Sequence, residues 1–377
     1  MKKHLSSLKK LKICFINKIA ARYREEIHLA MDSAFDIDWY FGENQSDVKE
    51  YDVSKLKHCI RYKVCGSPEK ISWKRGMLKT LFSRKYQTYI MHVETRAVSD
   101  WVWMLCKSLF FPKKHVYTWA HGWYGKENKI EAAMKLWLYR RLTGIFVYGQ
   151  YAKDLIVKRG IPAEKIFVIH NSLHYTEQLK LRKSLSASDI YRSHFKNDNP
   201  VLVMIGRLNL RKHLDMLIDA VEILKNKGET YNVVLIGNGE DKDKLEQMVA
   251  EKGLCEYFWF YGACYDEKIN AELLYNSDMC VVPGDVGLTA IHSLMFGVPV
   301  VSHNCFKYQG PEFETIQPGI TGYFYEYGNV KALASCISNW FKEKKNQREE
   351  VREACFQIID TEWNPYYQME VLKNYLK

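Results

Sequence analysis

Two kinds of hydrophobic pattern alternate along this chain. Short, almost uninterrupted apolar runs predict buried β-strands, and the stretches between them carry apolar residues three or four positions apart, which predicts helices. Regular alternation of the two patterns is typical of an α/β fold with parallel sheets.

In the first half of the chain, the pattern predicts six strands with helices between them. The strands are expected at residues 12–16, 36–40, 88–93, 115–119, 145–148 and 166–169, and the clearest helices at 97–109 and 128–142. The pattern then lapses into a polar stretch over 173–199, directly before Pro200, which we interpret as a linker.

The second half shows the same alternation more sharply and predicts a Rossmann-like domain. Strands are expected at 201–206, 232–237, 258–262, 279–284 and 299–303, and helices at 211–227, 240–253, 266–276 and 288–296. Four of these strands close on a glycine, namely Gly206, Gly237, Gly262 and Gly284. Since right-handed crossovers bring the carboxyl ends of parallel strands to one edge, we expect a ligand cleft there.

A chain of 377 residues is too long for one ordinary hydrophobic core. We therefore predict an N-terminal Rossmann-like domain at 1–172, the linker at 173–199 and a second Rossmann-like domain at 200–358. A final helix is expected within 359–377. Because both halves are predicted to be doubly wound, a cleft between them is the natural place for a site.

Composition favours a cytoplasmic protein. No apolar run approaches the roughly 20 residues of a membrane span. The N-terminus begins with positive charge, as a signal peptide does, but its apolar part is interrupted by Lys10, Lys12 and Lys18. We therefore interpret it as a basic lead-in to the first strand rather than a signal peptide. The ten cysteines include no Cys-x-x-Cys pair, which favours free thiols in a reducing compartment.

The net charge of +11 is unevenly spread. Residues 1–190 carry 35 Lys and Arg against 18 Asp and Glu, whereas residues 191–377 carry 20 against 26. A basic half suits nucleic acid, an anionic membrane or a phosphorylated substrate, and the lack of a nucleic-acid-binding motif favours the last two. The segment 101–115 interleaves aromatic residues with lysines and suits an anionic surface, although a helix facing the core is the favoured interpretation.

Candidate chemistry in the second half lies where predicted strands end. Arg207 directly follows the predicted strand 201–206, and Lys212 lies five residues later, near a predicted helix start. Two cations at this position suit a diphosphate, although basic residues at a helix start are commonly just solvated. Gly239 stands in a turn where a nucleotide could approach the backbone. Gly287 precedes a helix start whose N–H groups could face an anion, and His292, one turn later, is either a cleft residue or a structural one.

In the first half, His121 and Gly122 follow the predicted strand 115–119. A histidine just past the carboxyl end of a strand is exposed to whatever fills the cleft, where it can donate a hydrogen bond or serve as a base.

Taken together, these segments resemble retaining glycosyltransferases of family 4, the glycosyl transferase group 1 type, which have the GT-B fold. The resemblance rests on the order of six segments between Val201 and Tyr325: GRLNLRKHLDMLIDA, LIGNGEDKDKL, FYGACY, SDMCVVPG, GLTAIHSLMFGVPVV and GITGYFY. By this resemblance, Arg207 and Lys212 would grip the donor diphosphate and His121 would lie near the donor sugar. The backbone N–H groups that cradle the diphosphate would belong to Gly287, Leu288 and Thr289, while Gly206 and Gly239 would line the nucleotide.

The chain departs from the family at two glutamates that normally stand eight positions apart. Gly284 and His292 occupy those positions. The resemblance implies that Asp285 substitutes for the sugar-contacting glutamate and that His292 bonds the ribose; alternatively, donor choice differs or activity is lost. Glu312 and Glu314 are either replacement carboxylates near the sugar or part of an acidic solvent loop. The family's glycine-rich loop after the first strand is also missing. The resemblance further implies that the final helix, within 359–377, crosses back onto the first domain.

The resemblance implies transfer of a sugar, with retention, from a UDP- or GDP-linked donor to a saccharide acceptor. Cations suited to the leaving diphosphate, and the lack of an Asp-x-Asp motif in a metal-binding setting, predict a reaction with no metal and no cofactor beyond the nucleotide sugar. The expected setting is bacterial capsule or O-antigen synthesis on a polyprenyl-diphosphate-linked acceptor, at the inner face of the cytoplasmic membrane. Three alternatives remain: a nucleotide-sugar 2-epimerase, a donor-binding scaffold that has lost catalysis, and a nucleic-acid-binding module.

Overall fold

The apolar runs form strands and the periodic stretches form helices in the computed structural model, which describes residues 12–44, 48–67 and 70–376. The chain divides into two units. The first comprises Met1–His174 and Asn364–Lys377, and the second comprises Tyr175–Trp363. The predicted basic lead-in before Lys12 lies outside the described residues. Each unit is built on a parallel sheet, which confirms the predicted α/β fold class.

The first unit contains a seven-stranded parallel sheet in the order β3-β2-β1-β6-β7-β8-β9. Strand order reverses between β1 and β6, so this unit has its topological switch point there. A short antiparallel pair, β4 and β5, stands apart from the sheet. The strands are β1 Lys12–Asn17, β2 Asp36–Gly42, β3 Cys59–Tyr62, β4 Val64–Gly66, β5 Ser72–Lys74, β6 Thr88–Met91, β7 His115–Ala120, β8 Gly144–Val147 and β9 Ile166–Val168.

Six helices complete the first unit: α1 Glu25–Ala34, α2 Met77–Phe82, α3 Val98–Phe110, α4 Lys129–Arg140, α5 Gln150–Val157 and, from the end of the chain, α14 Pro365–Tyr375. Two apolar clusters fill the two faces of the sheet. Because successive side chains of a strand point to opposite faces, Cys14 and Ile16 enter one cluster, while Ile13 and Phe15 enter the other. Helix α14 contributes Leu372 to the second cluster.

The second unit contains a six-stranded parallel sheet in the order β12-β11-β10-β13-β14-β15, with its switch point between β10 and β13. The strands are β10 Val201–Ile205, β11 Asn232–Ile236, β12 Phe258–Gly262, β13 Met279–Val281, β14 Val300–His303 and β15 Gly322–Tyr325. The helices are α6 Tyr175–Arg182, α7 Ile190–Phe195, α8 Leu214–Asn226, α9 Lys242–Glu251, α10 Glu267–Asn276, α11 Thr289–Met295, α12 Val330–Glu343 and α13 Arg348–Thr361. Every residue of β10 and β11 is buried, as a central parallel strand covered on both faces requires.

The stretch that we interpreted as a linker carries two helices, α6 and α7, that belong to the second unit. The Tyr191 hydroxyl donates to the Leu273 carbonyl at 2.6 Å, and Gln178 bonds to Glu267 at 2.7 Å, so both helices are held against α10. Polar side chains make these contacts, which is why apolar periodicity did not indicate them.

The end of the chain also differs in detail from the single predicted helix. Helix α13 ends at Thr361, and α14 begins at Pro365, after Asn364. The proline ring cannot continue a preceding helix but fits the first turn of a new one. The division between the units falls at this break.

Candidate active site

The candidate residues of the second unit gather at the carboxyl ends of β10 and β13, on the two sides of its switch point. Arg207 follows Gly206 at the end of β10, and its side chain is exposed. Lys212 closes a short turn five residues later, and its Nζ donates to the carbonyl oxygens of Asp285 at 2.6 Å and Val286 at 3.0 Å. The two loops that the sequence suggested separately are therefore joined by Lys212.

The ammonium of Lys212 is embedded between these loops. Burial lowers the pKa of Lys212, while the charges of Asp285 and Glu312 act in the opposite direction. An ammonium has three N–H donors, and the two loop carbonyls accept two of them. Among the residues that the structure describes, no third acceptor is hydrogen-bonded to this Nζ, which lies 3.9 Å from a Cβ built on Gly287.

Close backbone packing requires the glycines after β11. A Cβ on Gly237 would lie 1.8 Å from the Gly206 carbonyl oxygen, and one on Gly239 would lie 2.0 Å from the Leu208 oxygen. Gly239 therefore accommodates the protein's own loop at this point. Gly206 adopts a φ of 145° and lies against Thr289, whose hydroxyl donates to the Ile205 carbonyl at 2.7 Å.

Gly284 is required by the same packing. A Cβ at this position would lie 1.9 Å from the Arg211 carbonyl oxygen, and the Gly284 N–H donates to the Lys212 oxygen at 2.8 Å. No side chain fits at Gly284 while the loop after β10 stays in place. The family glutamate is thus excluded here by the backbone.

Two carboxylates meet beside this loop. Asp285 Oδ1 accepts the Gly310 N–H at 2.8 Å, and a Cβ built on Gly310 would lie 2.7 Å from Glu312 Oε2 and 3.3 Å from Asp285 Oδ1. Glu312 is buried, whereas Glu314, in the same short turn Pro311–Thr315, is half-buried. The structure therefore brings Asp285 and Glu312 together near Lys212.

The His292 side chain on α11 is hydrogen-bonded to a carboxylate of α10. Its Nε2 lies 2.8 Å from Glu267 Oε1, and that oxygen also accepts Gln178 Nε2 at 2.7 Å. Burial opposes ionisation of Glu267, but the charge of His292 and its hydrogen bond outweigh burial and hold the pKa of Glu267 at about 2. Sequence reasoning missed Glu267; the signal available was an acidic residue at the start of a helix after a strand-ending glycine.

Gln309 and His303 were also missed. Gln309 Oε1 accepts the Val286 N–H at 2.9 Å and its Nε2 donates to Ser302 Oγ at 2.7 Å, which fixes the loop before Gly287. His303 is buried at the end of β14, where burial, opposed by Asp285, lowers its pKa to about 4. Their one signal in the sequence is position, since His303 ends a predicted strand and Gln309 follows six residues later.

His121 lies in the first unit and is not part of this group. It follows β7 and lines a pocket of about 330 Å³ at the switch point of the first sheet. Lys18 follows β1 and His92 follows β6 in the same pocket, which Lys135 also lines. Desolvation by the surrounding protein is the main cause that lowers the pKa of His121, and the charges of Arg24, His92 and Lys135 lower it further. This shift favours the neutral ring.

The second unit also contains a segment that matches a known protein family. Residues 187–357 match the family model described as "Glycosyl transferases group 1". This segment contains every candidate residue of the second unit. Residues 187–357 form a glycosyl transferases group 1 domain. The prediction of a glycosyltransferase-type enzyme is thus confirmed at the level of the family.

Solved glycosyltransferases show that the fold extends over the whole chain. A lipopolysaccharide outer core galactosyltransferase, WaaB, aligns at a TM-score of 0.71 with 15% identity, over 97% of this chain and 99% of its own. Anabaena HepE in complex with UDP aligns at 0.69 with 16% identity, over the same shares. The predicted GT-B fold class, with two Rossmann-like units, is confirmed.

The relatives found by sequence cover less of the chain. An uncharacterised 41.2 kDa protein from the cps region of Klebsiella pneumoniae is 21% identical over 258 residues, or 67% of this chain and 65% of that protein. The alignment therefore leaves out about a third of the relative. Within the group 1 domain and the rest of the described chain, no three His, Cys, Asp or Glu residues are grouped in a way that could hold a metal ion.

Proposed function

We propose that this protein transfers a sugar from a nucleotide-diphosphate sugar to a saccharide acceptor, with retention of configuration at the sugar. The observation that carries the proposal is the position of Lys212. Its ammonium joins the loop after β10 to Asp285 and Val286 at the switch point and keeps one donor for an anion. Doubly wound sheets bind their ligands at such points.

The cations act on the leaving group. As the bond between the sugar's anomeric carbon and the phosphate oxygen breaks, negative charge grows on the nucleotide diphosphate. Arg207 and Lys212 stabilise that charge, helped by the backbone N–H groups of Gly287, Leu288 and Thr289. The acceptor oxygen bonds to the anomeric carbon on the face that the phosphate leaves, and its proton passes to the leaving phosphate.

Carboxylates and histidines hold the reacting groups. Asp285 and Glu312, with Glu314 in the same turn, would contact the hydroxyls of the donor sugar in place of the glutamate that Gly284 excludes. His292, oriented by Glu267, would contact the nucleotide. A neutral His121 would accept a hydrogen bond from a sugar hydroxyl in the pocket of the first unit.

Relatives support the class of donor and acceptor. The UDP bound to HepE favours UDP over GDP as the nucleotide. The cps-region relative and the lipopolysaccharide galactosyltransferase favour bacterial surface polysaccharide, capsule or O-antigen, as the product. In this proposal the acceptor is a polyprenyl-diphosphate-linked glycan, and the protein works at the inner face of the cytoplasmic membrane.

The proposal is tested by product analysis. The full chain is incubated with UDP- and GDP-sugars and lipid-linked or free oligosaccharides, and free nucleoside diphosphate and extended glycan are measured together. The proposal expects both in equal amounts, with the anomeric configuration of the donor kept in the product. An epimerised donor without any extended glycan would contradict it.

A second candidate is a donor-binding protein without transferase activity. It is favoured by Gly284, where a glutamate cannot fit, and by Asp285, whose carboxylate already bonds to the Gly310 N–H. This candidate expects nucleotide sugars to raise the melting temperature while no acceptor yields product. A transferase would show both the rise in melting temperature and the formation of product.

A further inference from the structure

The carboxyl-terminal ends of α2 and α3 carry several large apolar side chains that are exposed in the described part of the chain. Leu109 is 71% exposed and Phe110 65% at the end of α3, and Phe82, the last residue of α2, is 55% exposed. The rings of Phe82 and Phe111 are 5.3 Å apart, so the two helix ends are neighbours. We call these residues, with Leu105 one turn earlier, the α2–α3 surface.

The apolar residues of the α2–α3 surface are concentrated rather than scattered. Of the nineteen large hydrophobic residues that are exposed in the described part of the chain, four belong to this surface: Phe82, Leu105, Leu109 and Phe110. Single exposed hydrophobic residues are ordinary, but a group of them beside one another marks an interaction site.

In the chain segment that carries this surface, every exposed charge that the structure describes is positive. Between residues 70 and 113, the described exposed charged residues are Lys70, Arg75, Lys79, Arg84, Lys85, Arg96 and Lys113. The two carboxylates of this segment, Glu94 and Asp100, turn inwards to the buried Lys74, whose Nζ lies 2.8 Å from Asp100 Oδ2. Burial opposes the charge on Lys74, but Asp100, Tyr62 and Glu94 together outweigh burial and raise the pKa of Lys74.

The scaffold beneath the surface is fixed by another buried cation. Lys114 donates to the carbonyls of Leu81 at 2.6 Å and Ser83 at 2.8 Å, and to the Tyr89 hydroxyl at 2.9 Å. These bonds satisfy carbonyls at the end of α2. Lys107 is also buried, so neither it nor Lys114 can meet a surface, whereas Phe110 and Lys113 can.

We propose that the α2–α3 surface docks on an anionic lipid bilayer, with Leu109, Phe110 and Phe82 entering the headgroup boundary and Arg84, Lys85 and Lys113 at the phosphates. Exposed apolar side chains with cations two or three residues beyond them match a bilayer, which is negatively charged at the phosphates and apolar beneath them. Nucleic acid would leave the apolar tips unused. This surface lies entirely within the first unit.

The proposal deepens the proposed function, because it names the membrane as the place where a lipid-linked acceptor is met. It requires no sugar transfer. A vesicle experiment without donor or acceptor therefore fails or succeeds independently of the glycosyltransferase assay.

The test is flotation of the full chain with vesicles of phosphatidylcholine, with and without phosphatidylglycerol. The wild type is expected to bind only the anionic vesicles, less at high salt. Lys85→Gln and Lys113→Gln should each weaken binding about fivefold, the effect of about one unit of surface charge. Leu109→Ser with Phe110→Ser should abolish binding. Both side chains are already exposed, so folding should be unaffected, which circular dichroism checks.

Matched controls use equally exposed residues elsewhere. Ile130→Ser with Ile320→Ser changes side chains that are 75% and 50% exposed, and Lys331→Gln removes an exposed cation from the second unit. These variants should bind as the wild type does. Three results would each overturn the proposal. They are equal binding to both vesicle types, undiminished binding of the Leu109/Phe110 variant, and concentration-dependent dimerisation through this surface with no vesicle binding.

Discussion

Gly284 occupies the position of one of the two family glutamates, and its surroundings explain why a glutamate is not found there. Its α-carbon faces the Arg211 carbonyl so closely that even one methyl group would collide. The loop that carries Arg207 and Lys212 therefore holds its position only with glycine at 284. The absence of a glutamate there is a consequence of this loop packing, and Asp285 is the nearest residue that can present a carboxylate.

Restoring the family glutamate should accordingly damage the site. Gly284→Ala and Gly284→Glu are expected to lower the free energy of unfolding by about 1–3 kcal/mol, the cost of overpacking a tight contact. Urea denaturation measures this. In the control Gly228→Ala, a new Cβ meets nothing within 4 Å, and only the positive φ of 81° costs about 1 kcal/mol. A Gly284→Glu variant of wild-type stability with increased activity would contradict this account.

Helix α14 is the element that returns to the first unit, and its start is well defined. Asn364 Oδ1 accepts the N–H groups of Tyr366 and Tyr367, both at 3.0 Å, and Pro365 occupies the first turn. Gln368 then donates to the His170 carbonyl at 2.8 Å, and Ser172 donates to Gln368 at 2.8 Å. The helix is thereby fixed to the strand-end loop after β9.

Removing this cap should destabilise the first unit. Asn364→Ala is expected to cost about 1 kcal/mol of unfolding free energy, because two N–H groups lose their acceptor, whereas Asn364→Asp should retain most of it. Asn374→Ala, at an exposed position of the same helix, serves as the control. Equal stability of Asn364→Ala and Asn374→Ala would exclude the capping role.

How far an element can be predicted from sequence depends on what holds it. Strands β10 and β11 were predicted because a strand buried on both faces must be apolar throughout. Helices α6 and α7 were missed because polar side chains attach them. In the site, Arg207 and Lys212 were named from their place after a strand, but Glu267 reaches His292 only through tertiary packing, and backbone collisions such as that at Gly284 leave no pattern in one sequence.

Across the whole molecule, several histidines are held neutral by burial. The pKa values of His92 and His303 are lowered to about 4 by burial, against about 6.5 in an unfolded chain. Between these values the unfolded state binds more protons than the folded state, so the protein loses stability as pH falls from about 6.5 towards 4.

Thermal denaturation between pH 7 and pH 5 should therefore show a falling melting temperature. His303→Asn is expected to reduce the slope, because an amide oxygen replaces Nδ1 as acceptor for the Cys305 N–H without titrating. His58→Asn, at an exposed histidine, should leave the slope unchanged. If His303→Asn and the wild type lose stability equally with falling pH, His303 is not one of the groups responsible.

The measurement that tests the central claim most directly is the affinity of nucleoside diphosphate for the Lys212→Ala variant, by isothermal titration calorimetry. The account predicts that UDP or GDP binds the wild type, that Lys212→Ala weakens binding at least about tenfold through loss of a charged hydrogen bond, and that the control Lys331→Ala binds as the wild type does. Circular dichroism establishes that both variants are folded. A folded Lys212→Ala variant with wild-type affinity for the diphosphate would contradict the account.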